Sequence, residues 1–264
     1  MNRVFVPSRS WAPLDEGGQG GRLHLEGDTL HYLAKVLRLR PGDRFVAATE
    51  GGPDRICVVE EVERHFLEAT VEGERPAAAE APVRVHLYQG WPKGDKLELI
   101  IQKCTELGAA TITPVITARS VPRPGAAGKI ADKLTRWQAV AREAAEQCGR
   151  ATIPAVGEPL DIAAAARAMA ASGGRAFVLW EGEKATGFLG ELEKVPAATT
   201  GVALLIGPEG GLSAAEVETL AAAGVMPVGL GSRVLRTETA AIAAVTIVLE
   251  RLGDLGRVAV GSEP

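Results

Sequence analysis

From residue 83 onward, short apolar runs alternate with segments of helical periodicity, and this alternation constrains the fold more than any other feature. Val202-Ala203-Leu204-Leu205-Ile206 is apolar at every position rather than at every second one. A strand of that kind has both faces covered, and strands separated by helices pair in parallel. The expected strands are 83–88, 110–116, 176–180, 202–206 and 227–230, and the expected helices are 96–107, 130–148, 163–171, 213–223 and 237–252. Gly108 and Gly149 stop the first two helices. Ser213-Ala214-Ala215-Glu216 has the pattern of a capping box.

The first 75 residues follow a different rhythm. Arg22–Leu25, Arg44–Ala48, Ile56–Val59 and Phe66–Val71 read as short strands, with Gly51-Gly52-Pro53-Asp54 as a hairpin turn. One helix is expected near Asp28, carrying Leu30, Leu33, Val36 and Leu37 on one face and ending before Pro41-Gly42-Asp43. Several strands and one helix suggest a small β-barrel. Residues 76–82 hold two prolines and no periodic apolar face, so they read as a linker between domains 1–75 and 83–264.

Composition excludes several classes. The 264-residue chain is 46% hydrophobic, enough for one or two cores, yet it has no apolar run of membrane-spanning length. Cys57, Cys104 and Cys148 are scattered, with no CxxC spacing, and the four histidines do not cluster, so neither a disulfide framework nor a metal site is expected. The N-terminus lacks a signal-peptide pattern, and a cytoplasmic location is expected. A net charge of −4 argues against a bulk cationic nucleic-acid binder. The charge is uneven, however: −3 over residues 1–75, +4 over 76–150 and −5 over 151–264. The basic middle is either a phosphate-facing surface or ordinary helix-surface charge.

Two glycine-rich turns lie near the C-terminus. Gly207-Pro208-Glu209-Gly210-Gly211 follows one apolar run, and Gly229-Leu230-Gly231-Ser232-Arg233-Val234 follows the next. Turns at the carboxyl ends of parallel strands are where open α/β folds bind ligands, and glycine lets a ligand approach the backbone closely. Phosphate cradles do not fit. There is no GxxxxGK[ST], and Val234 stands where a dinucleotide fingerprint needs its third glycine. An adenosine-type ligand held by backbone atoms and apolar walls remains. Thr237 is the expected N-cap of the last helix, and Glu238 suits its first turn. Arg236, beside a glycine turn, needs a partner: Glu209, Glu238 or a phosphate.

Ile206-Gly207-Pro208-Glu209-Gly210-Gly211, with Leu230-Gly231-Ser232-Arg233-Val234-Leu235-Arg236-Thr237-Glu238-Thr239-Ala240, resembles the RsmE family. These are uracil-N3 methyltransferases of small-subunit (16S) ribosomal RNA in the SPOUT superfamily. His31–Arg38 with Gly42-Asp43, Lys103–Gly108, and Trp137 with Ala144, Glu146-Gln147 and Arg150 resemble it too, so the likeness covers essentially the whole chain in order. The resemblance implies an α/β SPOUT-type parallel sheet with a C-terminal trefoil knot, preceded by a PUA-like barrel that helps hold RNA. It further implies S-adenosylmethionine as cofactor, a homodimer, and 16S rRNA or the small ribosomal subunit as partner.

Residue roles implied by the resemblance follow. Backbone groups of Leu205, Ile206, Gly207 and Gly210 in the first turn, and of Leu230, Gly231 and Leu235 in the second, hold the cofactor, with Thr239 and Ala240 also at its site. Arg236 orients the uracil or stabilises its anion, and Glu209 or Glu238 accepts the N3 proton. RNA contacts are expected from Arg9, Lys35, Arg38, Lys93, Arg119, Arg142 and Arg150. A binding module that has lost its chemistry and a nucleotide-dependent oxidoreductase are the readings to be distinguished from this one.

Overall fold

The structure, a computed structural model, describes residues 1–11, 21–77, 80–121 and 127–257. Residues 78 and 79 of the expected linker lie outside these. The chain forms two compact units, one of residues 1–80 with 145–152, the other of residues 81–144 with 153–264.

The first unit is built on β1 (Arg3–Phe5), β2 (Arg22–Leu25), α1 (Gly27–His31), β3 (Arg44–Ala48), β4 (Asp54–Val62) and β5 (Leu67–Arg75). Their order in the sheet is β1-β3-β4-β5-β2; β1 runs parallel to β3, and the other pairs are antiparallel. Trp11, downstream of β1, bridges to Leu23 in β2 and draws the ends of the sheet together, as a small barrel requires. Leu23, Leu25, Leu33, Phe45 and Leu67 are fully buried inside it. The Gly51-Gly52 turn joins β3 to β4 in the register Ala48↔Asp54. Asp54 is buried and accepts from Arg3 Nε at 3.0 Å, a pairing that compensates the desolvation of both charges.

The helix of this unit departs from its expected phase. After one α-helical turn it widens into a π-helical turn over Tyr32–Val36, and the Leu37 amide donates back to the Tyr32 carbonyl at 3.0 Å. The extra residue in that turn rotates Val36 out of the apolar face, where it is 59% exposed, while Leu37 packs against the core. Arg38 then closes the helix with φ 56°, a left-handed conformation unusual for a residue other than glycine.

The second unit carries β6 (Arg84–Gly90), α2 (Lys96–Leu107), β7 (Thr111–Ile116), α3 (Ala127–Cys148, whose last turn belongs to the first unit), β8 (Ala155–Val156), β9 (Leu160–Asp161), α4 (Ile162–Ala171), β10 (Arg175–Leu179), α5 (Phe188–Leu192), β11 (Gly201–Ile206), α6 (Ala214–Ala222), β12 (Met226–Val228) and α7 (Thr237–Leu252). All its strands pair in parallel, in the order β12-β10-β11-β6-β7-β8, with β9 also on β7. Alternate residues of the strands feed two cores. Val202, Leu204 and Ile206 join Phe177, Leu179 and Leu87 beneath α2, α5 and α7, whereas Ala203 and Leu205 join Val178 and Tyr88 beneath α4 and α6. The continuous apolar runs therefore reflect burial on both faces. The Ser213 capping box is formed: Ser213 Oγ accepts from the Glu216 amide, and Glu216 Oε2 accepts from the Ser213 amide at 2.8 Å.

Candidate active site

The two glycine turns meet at the carboxyl ends of β10, β11 and β12. With the segment following β10 they enclose a cavity of about 460 Å³, walled by Leu179 and Trp180, by Ile206 to Gly211, and by Leu230, Gly231 and Arg233 to Thr237 with Ala240. A hydrogen-bonded relay joins the turns. Thr237 Oγ1 donates to the Gly207 carbonyl at 2.6 Å and accepts from Gln89 Nε2 at 2.8 Å. Gln89, the last residue but one of β6, is fully buried and also donates to the Gly90 carbonyl at 3.0 Å. The N-cap of α7 is Arg236, not the expected Thr237, whose hydroxyl is occupied in holding the first turn against the second.

Glycine is required where the turn passes neighbouring chain. A Cβ on Gly90 would lie 2.5 Å from both Cδ and N of Pro208, far inside contact distance. Gly211 (φ +68°) and Gly231 (φ +113°) occupy left-handed conformations. Arg119 Nη1 braces the first turn from outside by donating to the Gly210 carbonyl at 2.9 Å.

Charged groups gather at the rim. Glu209 accepts from Lys96 Nζ at 2.9 Å and from the Lys93 amide at 3.2 Å. Partial burial would raise its carboxyl pKa, but the Lys96 hydrogen bond, its own amide and the Lys93 amide hold it below the ordinary range. A carboxylate so occupied is a weak proton acceptor. Lys96 Nζ also lies 3.8 Å from Glu238 Oε2, a buried oxygen with no hydrogen-bond partner among the described residues. The Arg236 guanidinium lines the cavity and makes neither a hydrogen bond nor an ion pair among the described residues.

Of the cofactor residues expected from sequence, Ile206, Gly207, Gly210, Leu230, Gly231, Leu235 and Ala240 line the cavity. Leu205 does not; its side chain is in the opposite core. Thr239 is exposed on α7 and is not part of the wall either. Among the catalytic candidates, Arg236 and Glu209 are on the wall and Glu238 is not. Of the RNA candidates, Arg9, Lys35, Arg38, Lys93, Arg119 and Arg142 have exposed side chains. Arg150 is a correction. It is 8% exposed and bound to Glu80 at 2.6 Å, so its guanidinium is committed inside its own unit. Sequence reasoning missed Lys96 and the Trp180–Lys184 segment. Both follow the carboxyl ends of parallel strands, which is the signal that could have found them.

The wall fits an adenosine-bearing sulfonium. Leu179, Ile206, Leu230 and Leu235 offer apolar surface, the glycine turns offer backbone donors and acceptors, and the volume is that of a small-molecule site. A family model described as an RNA methyltransferase domain matches residues 79–249, and one described as an RNA methyltransferase PUA domain matches residues 25–72. Fold and site thus define an RNA methyltransferase. Ribosomal RNA small subunit methyltransferase E of Bacillus subtilis is 34% identical over 227 residues, covering 85% of this chain and 88% of that protein. The Mycobacterium bovis protein of the same name is 36% identical over 229 residues, covering 85% and 84%. A crystal structure of the Neisseria gonorrhoeae protein of that name, bound to S-adenosyl methionine, superposes with a TM-score of 0.82 at 29% identity, covering 97% of this chain and 99% of that one. The chain belongs to the ribosomal RNA small subunit methyltransferase E family.

Proposed function

We propose that this protein methylates N3 of a uridine in small-subunit (16S) ribosomal RNA, using S-adenosylmethionine. The observation that carries the reading is a backbone-edged cavity whose rim presents the unpaired Arg236. The cofactor supplies a methyl group on a sulfonium, so the hard chemistry is its own. The protein aligns the reactants, which is worth roughly 7–11 kcal/mol. Uracil N3–H sits inside base pairs in folded RNA, so the base enters the cavity unpaired or flipped. Arg236 holds the uracil and stabilises its negative charge. Glu209 and Glu238 are the two candidate carboxylates for the N3 proton; Glu209 lines the cavity, Glu238 does not, and both face Lys96.

The same reading assigns residues 1–75 as a PUA-like domain that helps hold RNA, 76–82 as linker and 83–264 as the methyltransferase domain. Arg9, Lys35, Arg38, Lys93, Arg119 and Arg142 contact phosphates, and their joint removal flattens the salt dependence of RNA binding. The working form is a cytoplasmic homodimer, to be checked by light scattering. The C-terminal chain is threaded as a trefoil knot. In support, it leaves β12 at one sheet edge and returns as α7 onto β6, β11 and α2 in the interior. No helix of the described residues is long and apolar enough to cross a membrane.

Nucleoside mass analysis of ribosomal RNA from cells with and without the gene tests the activity. Loss of 3-methyluridine on deletion is expected, and its persistence would overturn the reading. Calorimetric titration with S-adenosylmethionine and with NAD separates the methyltransferase from a nucleotide-dependent oxidoreductase.

A further inference from the structure

Lys96 is an odd residue for its position. It opens α2, where the exposed backbone amides make the helix end positive and carboxylates are favoured. It is nonetheless held there, its Nζ 2.9 Å from Glu209 Oε1 and 3.8 Å from Glu238 Oε2, with its side chain on the cavity wall. The two carboxylates come from different elements, one from the turn after β11 and the other from the first turn of α7. Together with Arg236 they are the charged groups that face Lys96 from those elements. On its own helix, Asp95 and Glu98 are turned to Arg136, at 3.8 and 2.8 Å.

We propose that Lys96 is a further catalytic residue, a second cation that with Arg236 stabilises the deprotonated uracil ring. The inference rests on the uracil-N3 reading above. Its chemistry follows from what the carboxylates cannot do. Glu209 already accepts from Lys96 and the Lys93 amide and is held below its ordinary pKa, and the facing oxygen of Glu238 is buried. The other acidic side chains of the wall, Glu181 and Glu183, are carboxylates too, and a carboxylate is a weak base toward a uracil N3–H. The N3–H bond then breaks with its proton passing to solvent water, and the electron pair stays on N3 and spreads to O2 and O4. Two nearby cations favour that anion, as an opposite charge within a few ångströms favours any ionised form. Glu209 and Glu238 keep the ammonium charged and aimed. The Glu209 hydrogen bond, against slight desolvation, raises the Lys96 pKa above its ordinary value.

The test compares Lys96→Met and Lys96→Arg with wild type, using small-subunit RNA and the same RNA transcribed with 5-fluorouridine, whose N3–H is more acidic. Lys96→Met is expected to bind S-adenosylmethionine within about twofold of wild type in calorimetry, showing an intact fold. Its turnover falls about 100-fold, the scale of losing one anion-stabilising group. The rising limb of its pH profile moves up by about one unit. Fluorouridine RNA restores much of the loss, and Lys96→Arg retains the wild-type limb. Without cofactor, wild type binds fluorouridine RNA more tightly than uridine RNA as pH rises, and Lys96→Met loses that preference. The proposal is overturned by a wild-type pH limb in Lys96→Met, by Lys96→Arg failing equally, or by a tenfold loss of cofactor affinity, which would make Lys96 a structural brace. If wild type itself forms no 3-methyluridine, the uracil-N3 reading fails first and this one falls with it.

Discussion

Replacing Thr237 with valine keeps the shape of the side chain and removes its hydroxyl. Two hydrogen bonds disappear, the 2.6 Å bond to the Gly207 carbonyl and the 2.8 Å bond from Gln89. Gln89 is fully buried, so water does not readily replace its lost partner, whereas the half-buried Gly207 carbonyl edges the cavity and can be hydrated. A buried polar group left unpaired costs about 1–3 kcal/mol, and loss of the second, part-buried bond adds about 1 kcal/mol, roughly 2–4 kcal/mol together. For a chain of this size each kcal/mol moves the melting temperature by about 2–4 °C, so Thr237→Val melts roughly 4–16 °C below wild type. The bonds tie one cofactor wall to the other, so the affinity for S-adenosylmethionine falls as well. Thr237→Ser keeps the hydroxyl and loses one methyl, about 1 kcal/mol of burial. Thermal melts and calorimetry on the three proteins decide the matter. A valine variant melting within about 2 °C of wild type, or a serine variant as unstable as the valine one, would refute the relay as the join between the turns.

Arg236→Ala is expected to abolish methylation while leaving cofactor affinity nearly unchanged, since its guanidinium has no partner in the described protein; near-normal turnover in a nucleoside assay counts against its role. Gly90→Ala forces a Cβ to within 2.5 Å of Pro208 and displaces the first turn, so cofactor affinity should drop more than about tenfold, read by calorimetry. Glu80 is a pH-sensitive contact of the first unit. Burial raises its pKa, but Arg150 and the Thr152 amide outweigh this and hold it below the ordinary 4.5. A depressed folded pKa gives stability that is present above the unfolded value and lost as pH falls through the folded one. Glu80→Gln should therefore be less stable than wild type by roughly 1–3 kcal/mol at pH 7, and the difference should close in acid below the ordinary value. A difference independent of pH in denaturant titrations would remove the ion pair as its cause.

The parallel sheet was legible because Val202–Ile206 and its counterparts leave no polar face, and only burial on both sides explains that. The glycine turns were legible because φ > 0 and close approach leave few alternatives to glycine. What could not be read were contacts made across long sequence distances. Nothing in the local pattern says that Gln89 meets Thr237, 148 residues away, or that Lys96 reaches Glu209. Arg150 looked like a phosphate ligand because its partner Glu80 stands 70 residues upstream. Val36 was misplaced for a local reason, since a π-helical turn breaks the period on which the reading of helices depends. The two-residue strands β8 and β9 and the five-residue helix α5 are too short to carry a period at all.

The edges of the parallel sheet have a consequence for solubility. A long exposed edge strand is a template for other chains, because its unpaired amides and carbonyls invite another strand. Here one edge is β12, three residues long with Pro227 at its centre, and the other is the two-residue β8. Proline has no amide to offer, and two residues are too few to seed a ladder. The sheet is thus blunted at both ends against edge-to-edge aggregation. Replacing Pro227 by a β-branched residue would make a continuous edge next to the exposed Met226.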